Sequence, residues 1–220
     1  MDEAADGIKS LTRQRGEEEE ILLRKTLDSI GKSLSAPYFS AKEAVFIPAE
    51  KGAEKGAGKG AGKGAERGFA ETDGLFISKA GIFVFECKHM TGTVIGKIND
   101  RLWTKTGETV LSFQNPILQS KRHADAAAAY FGVPKDCCRS FAVFNDTCTL
   151  DEEIDRAVLR TGTLAESLAP YLKETRLSPE ALDAVLSRAE KLSADEKLRK
   201  KHAAYIEQRK KERRSEKKRR

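Results

Sequence analysis

The chain has 220 residues, 39% hydrophobic and 34% charged, which is enough apolar material for one buried domain with solvated segments attached. Its net charge of +6 is uneven: Lys191 to Arg220 holds 14 Lys or Arg against 5 Asp or Glu, so the remainder carries about −3. No apolar run approaches the roughly 18 residues of a membrane span, the acidic start MDEAADGIKS lacks a secretory core, and Cys87, Cys137, Cys138 and Cys148 show no CxxC spacing; a membrane protein, an exported disulfide scaffold and a structural zinc site are therefore not expected, and the expected location is cytoplasmic.

Residues 1–16 read as an N-terminal arm. Glu17 to Ile30 reads as an amphipathic helix, with Leu23, Leu27 and Ile30 on one stripe and Gly31 as its stop. Glu20 lies three residues before Leu23, at the edge of that stripe, whereas Glu17, Glu18 and Glu19 are expected to favour the helix N-terminus. Ala44 to Ile47 is a short strand. Residues 50–68 contain a Lys-Gly-Ala-x repeat, too rich in glycine to hold a helix. It could brush a phosphate backbone through its lysines, but its composition favours an expansion that buries nothing.

Leu75 to Ser78 and Ile82 to Lys88 form a hairpin around Lys79-Ala80-Gly81, and Thr93 to Ile98 with Leu102 to Thr104 a second one around Asn99-Asp100. Ile117 to Phe131 reads as a helix behind Pro116, Phe141 to Asn145 as a buried strand, and Leu164 to Leu172 and Pro179 to Lys191 as helices. Asp195 to Arg220 reads as one charged helix. The order implies an α/β or α+β core around a mixed sheet. Residues 17–175 form the domain, and 176–220 a charged helical tail that becomes strongly basic. Such a tail gains affinity for phosphate backbones by releasing counterions, although a solvated helix that aids solubility has the same composition.

The first hairpin carries the chemistry. Side chains alternate along a strand, so Ile82, Val84, Glu86 and Lys88 share one face and Phe83, Phe85 and Cys87 the other. Both faces are apolar for most of their length, which marks a central strand, and such a strand should not end in charges without a purpose. If Ser78 sits opposite Gly81, then Glu86 lies opposite Asp73 and Lys88 opposite Glu71. Two carboxylates so placed repel each other unless a divalent cation lies between them, and oxygen donors suit Mg²⁺. A nearby lysine could orient a water for phosphodiester hydrolysis. A Glu71–Lys88 ion pair beside two solvated carboxylates is the plainer alternative.

The segments TDGLFISKAGIFVFECKHMTGTVIG, RLWTK and QNPILQSKRH resemble the nuclease-related domain family of the PD-(D/E)xK, restriction-endonuclease-like superfamily. The shared pattern runs from Glu20 through Asp73, Gly81 to Lys88, Gly92 to Gly96, Trp103 and Asn115-Pro116-Ile117-Leu118-Gln119 to His123, and the resemblance covers roughly Glu17 to Leu172. It implies a restriction-endonuclease-like core, followed here by the basic tail. It also implies a metal, Mg²⁺ with Mn²⁺ as a substitute, held by Asp73, Glu86 and the backbone carbonyl of Cys87. Lys88 would position water or steady phosphate charge, Glu20 would complete the acidic cluster, and Gln119 would touch the site or substrate. His123 is open between a packing role and a role in the site, and Trp103 is expected in the core rather than as a stacking platform. The chain departs from the pattern at Thr72, at Gly74 and in the insertion before Asp73.

The resulting expectation is a metal-dependent nuclease acting on nucleic acid, DNA before RNA, with little sequence specificity and no membrane partner. The alternatives are a nucleic-acid-binding module of the same fold that turns over weakly or not at all, and a protein-interaction module using the basic helix.

Overall fold

The computed structural model describes residues 2–49 and 68–197, with single positions 200, 204 and 207 beyond. The Lys-Gly-Ala repeat up to position 67 and most of the expected terminal helix lie outside the described residues. The chain opens with helix α1 (Asp2–Ser33), strands β1 (Phe39–Ser40), β2 (Val45–Ala49), β3 (Gly68–Thr72), β4 (Gly74–Ser78) and β5 (Gly81–Lys88). It continues with β6 (Thr93–Ile95), β7 (Leu102–Thr106), β8 (Leu111–Gln114), α2 (Pro116–Phe131), β9 (Cys138–Phe144) and β10 (Thr149–Leu150). Helix α3 (Glu152–Asp155), β11 (Leu159–Arg160), α4 (Leu164–Leu172) and α5 (Pro179–Ala194) follow. This is the expected mixed α/β architecture.

The main sheet has the order β1-β4-β5-β9-β11, with β5 at its centre. β4 runs antiparallel to β5 and β9 parallel to it. The alternation along β5 is the one expected. Ile82 and Val84 pack with Ala124, Ala127 and Phe131 of α2 and Leu182 and Val185 of α5. Phe83, Phe85 and Cys87 pack with Leu23 and Leu27 of α1 and Leu164 and Leu168 of α4. Helices therefore cover both faces, and this burial of apolar area is the main stabilising term. A smaller sheet, β10-β6-β7-β8, packs around Trp103, which is fully buried and stacks on Phe144. Trp103 is thus a core residue, as expected. No helix among the described residues is long and apolar enough to cross a membrane.

Several expectations are corrected. α1 runs from Asp2 rather than Glu17, so residues 2–16 are helical and Glu17 to Glu19 sit in mid-helix, away from its N-terminus. Gly31 does not end the helix, which continues to Ser33. A Cβ there would lie 2.1 Å from the Tyr38 ring, so the glycine admits a close contact. Glu71 does not face Lys88, because β3 leaves the main sheet and pairs with β2, placing Glu71 opposite Phe46. The same pairing sets Ala49 opposite Gly68, so the Lys-Gly-Ala insertion falls between the two strands of a β-ribbon, at one end of their pairing. Strands β1, β3, β8, β10 and β11 were not expected.

Candidate active site

The β4–β5 hairpin has the expected register, with Ser78 opposite Gly81 and Gly74 opposite Phe85. Regular pairing stops at Asp73, which lies between β3 and β4. Its N–H donates to Phe85 O at 3.2 Å and its Oδ2 accepts from the Cys87 N–H at 2.7 Å. The Asp73 carboxylate is thereby fixed at the level of Glu86 and Cys87.

The two departures flanking Asp73 have structural roles. The buried Thr72 hydroxyl lies 2.9 Å from both Gly74 O and Phe85 O, and holds the chain where it changes sheets. A Cβ on Gly74 would come within 3.1 Å of Leu23 Cδ2 and 3.3 Å of Leu27 Cδ1, so glycine lets α1 press close to the strand.

Glu86 is almost completely buried. Lys88 contacts its Oε1 through Nζ, while Oε2 is buried without a hydrogen-bond partner. Burial pushes the Glu86 carboxyl up to about 8, against the lowering effect of Lys88 and with help from Asp73. Asp73 and Glu71 are raised by burial, and Glu71 is raised further by Asp73 and Glu20. Burial and then Asp73 raise Glu20. Burial alone would lower the Lys88 ammonium, but Glu86 and Asp73 more than reverse that and hold it above its usual value. The structure therefore gathers Glu20, Asp73, Glu86 and Lys88 into one electrostatically coupled group, joined by Glu71.

α2 supplies the other wall. Asn115 caps it, with Oδ1 accepting from Ile117 N at 2.9 Å and Leu118 N at 3.4 Å. Its Nδ2 donates to Ile98 O at 2.7 Å and Asp100 O at 2.8 Å, which ties the helix to the β6–β7 connection. The Asn-Pro pair is therefore a fixing point for α2, with Pro116 at its first position. Gln119 is half-buried, one turn before His123. His123 faces the site, its Nδ1 3.6 Å from Glu86 Oε2. Burial, Arg122 and Lys88 push the imidazole down to about 4, so near neutral pH the contact is between a neutral ring and Glu86 and is not an ion pair.

Two polar residues beside this group, Arg24 and Asn145, escaped the sequence reading, and a third, Glu19, was assigned there to the helix N-terminus. Arg24 bonds the Asp73 carbonyl and approaches Glu20. Glu19 turns inward, accepting from the Thr161 hydroxyl and lying 3.5 Å from His89 Nδ1. Asn145 clamps Met90, accepting from its N–H at 2.7 Å and donating to its carbonyl at 2.9 Å, just beyond the Glu-x-Lys strand. An i,i+4 Glu–Arg spacing was the available signal for Arg24; nothing in the sequence marked the other two.

Among the described residues, no three His, Cys, Asp or Glu side chains are arranged to hold a metal ion. The donors still fit a hard cation: two carboxylates raised by burial, Glu86 further by Asp73 and with an orphaned buried oxygen, next to a strand backbone.

The fold and this acidic hairpin end define a nuclease-like α/β protein. A family model, the nuclease-related domain, matches residues 24–145, more than half of the chain. The chain belongs to the nuclease-related domain family. The match contains Asp73, Glu86, Lys88, Gln119 and His123, while Glu20 lies just before it. No curated protein and no solved structure matches the chain.

Proposed function

We propose that this chain is a Mg²⁺-dependent nuclease, able to use Mn²⁺, that hydrolyses DNA with little sequence specificity. The observation that carries the proposal is the coupling of Asp73, Glu86 and Lys88 at one hairpin end within a nuclease-related domain. Asp73, Glu86 and the Cys87 carbonyl would hold the metal, with Glu20 completing the acidic set. A bound metal would supply Lewis-acid stabilisation of phosphate charge and a more acidic water.

The remaining roles follow from the side chains. Lys88 stays charged, so it serves as a hydrogen-bond donor to the attacking water or a phosphate oxygen rather than as the general base. Glu86, released from its proton near pH 8, is available as an anionic ligand. Gln119, on the α2 wall with His123, is assigned to substrate contact. Because α5 packs into the core through Leu182, Val185 and Leu192, the domain extends past position 175 to the end of that helix, and the basic segment beyond it would hold the nucleic-acid backbone without reading bases. The four free thiols support a reducing compartment, the cytoplasm.

Two observations favour a weakly active binding module instead: Lys88 rests on Glu86, and among the described residues no three side-chain ligands are pre-arranged. Incubating the protein with plasmid, linear duplex, single-stranded DNA and RNA, in Mg²⁺, Mn²⁺ or EDTA, separates the two. Metal-dependent cleavage that prefers DNA is the expected result. Salt-sensitive binding with no cleavage in any metal would establish the module.

A further inference from the structure

Asp73 is a junction residue. On one side of it β3 pairs with β2; on the other, β4 pairs with β5. Two of its holds come from the hairpin strand, at Phe85 O and the Cys87 N–H. A third comes from a different element: Arg24 of α1 donates from Nη1 to the Asp73 carbonyl at 2.9 Å. The same nitrogen stands 3.4 Å from Oε2 of Glu20, one helical turn earlier.

The Arg24 side chain is only 12% exposed. A guanidinium this far from water loses hydration, which its partners must offset. Here those partners are the backbone of one candidate metal ligand and the carboxylate of another. Its Nε is buried without a partner, so the side chain accepts an incomplete set of bonds to keep this position. Leu23, its neighbour in sequence, packs in the core against the sheet, which fixes the turn of helix from which Arg24 extends.

We infer that Arg24 is a positioning residue: it ties α1 to the Asp73 junction and so sets both Asp73 and Glu20 toward one cation. The inference rests on the metal-site reading above. Arg24 acts through the Asp73 peptide and does not itself touch metal or substrate. Groups that orient metal ligands from outside the coordination shell typically change affinity about 10–100-fold when removed. Removing a positive charge from beside carboxylates would by itself tighten cation binding. The positioning role and the charge effect thus predict opposite signs.

The test is Mn²⁺ titration without substrate, followed by the electron paramagnetic resonance signal of free Mn²⁺, for wild type, Arg24→Met and Arg24→Lys. Circular dichroism and the thermal midpoint confirm folding, and Arg24→Gln replaces Arg24→Met if the latter does not fold. The expected result is Mn²⁺ binding about ten- to a hundredfold weaker in Arg24→Met. Arg24→Lys, which keeps an N–H donor able to reach a carbonyl, recovers most of the loss. Binding as tight as wild type, or tighter, in a folded neutral variant overturns the inference while leaving the metal site intact. A wild-type protein that binds no Mn²⁺ overturns the metal-site reading and this inference together.

Discussion

Lys88 closes on Glu86 two residues back along the same strand, which leaves the other Glu86 oxygen buried, unbonded and 3.6 Å from His123 Nδ1. A buried carboxylate held by one lysine and crowded by Asp73 is costly to ionise without a further cation.

That cost predicts a pH dependence. The Glu86 carboxyl is raised from an ordinary 4.5 to about 8 in the folded state. Between these values the folded chain binds the proton and the unfolded chain does not, so stability falls as pH rises toward 8. His123 works in the opposite sense but only lower down: pushed from 6.5 to about 4, its ring opposes folding as pH drops below 6.5. The clean window is therefore pH 6.5–8. In EDTA, unfolding free energy from urea titrations should fall by about 1–2 kcal/mol across it, and saturating Mg²⁺ should remove most of the slope. A flat or rising profile in EDTA would contradict the assigned environment of Glu86.

The small sheet should matter to the site through α2. A Cβ on half-buried Gly96 would lie 2.4 Å from Cδ1 of the fully buried Trp103. Trp103 also donates from Nε1 to Lys97 O at 2.8 Å, beside the Ile98 carbonyl that holds Asn115. Gly96→Ala should cost about 1–3 kcal/mol by overpacking, read as a lower urea midpoint, and should reduce cleavage as the α2 wall shifts. A midpoint within experimental error of wild type would show that Trp103 can move aside.

Removing the basic tail should weaken DNA binding and flatten its salt dependence. Leu192 is buried with α5, so the cut must fall beyond that helix. Truncation after Lys197 removes twelve Lys or Arg and three Glu while keeping the packed helix. Each lost phosphate contact lowers the slope of log K against log salt by about 0.9. An unchanged slope would assign DNA binding to the domain and leave the tail as a solvated extension.

The hairpin was legible because its register depends only on a short turn and a two-residue alternation, both local. The pairing that put Glu86 opposite Asp73 could not foresee that the chain would change sheets there. Glu71 therefore went to β2, because that switch depends on the buried Thr72 hydroxyl and on the β2 partner. Gly31 read as a stop because glycine disfavours helix, while its actual reason is the Tyr38 ring across the turn. Strand β8, Leu111–Gln114, has no buried residue along its length, so no periodic apolar signal marked it. Arg24 drew no notice, because its bond to Asp73 spans 49 positions that no local pattern connects.

The most direct test of the central claim is the cleavage rate of linear duplex DNA in Mg²⁺ by wild type and Lys88→Ala, with DNA binding measured in parallel. Lys88 donates to the reacting groups in this assignment, so its loss should cut cleavage by about two orders of magnitude or more while binding changes little. Equal rates in the two proteins would contradict the assignment of nuclease chemistry to this hairpin.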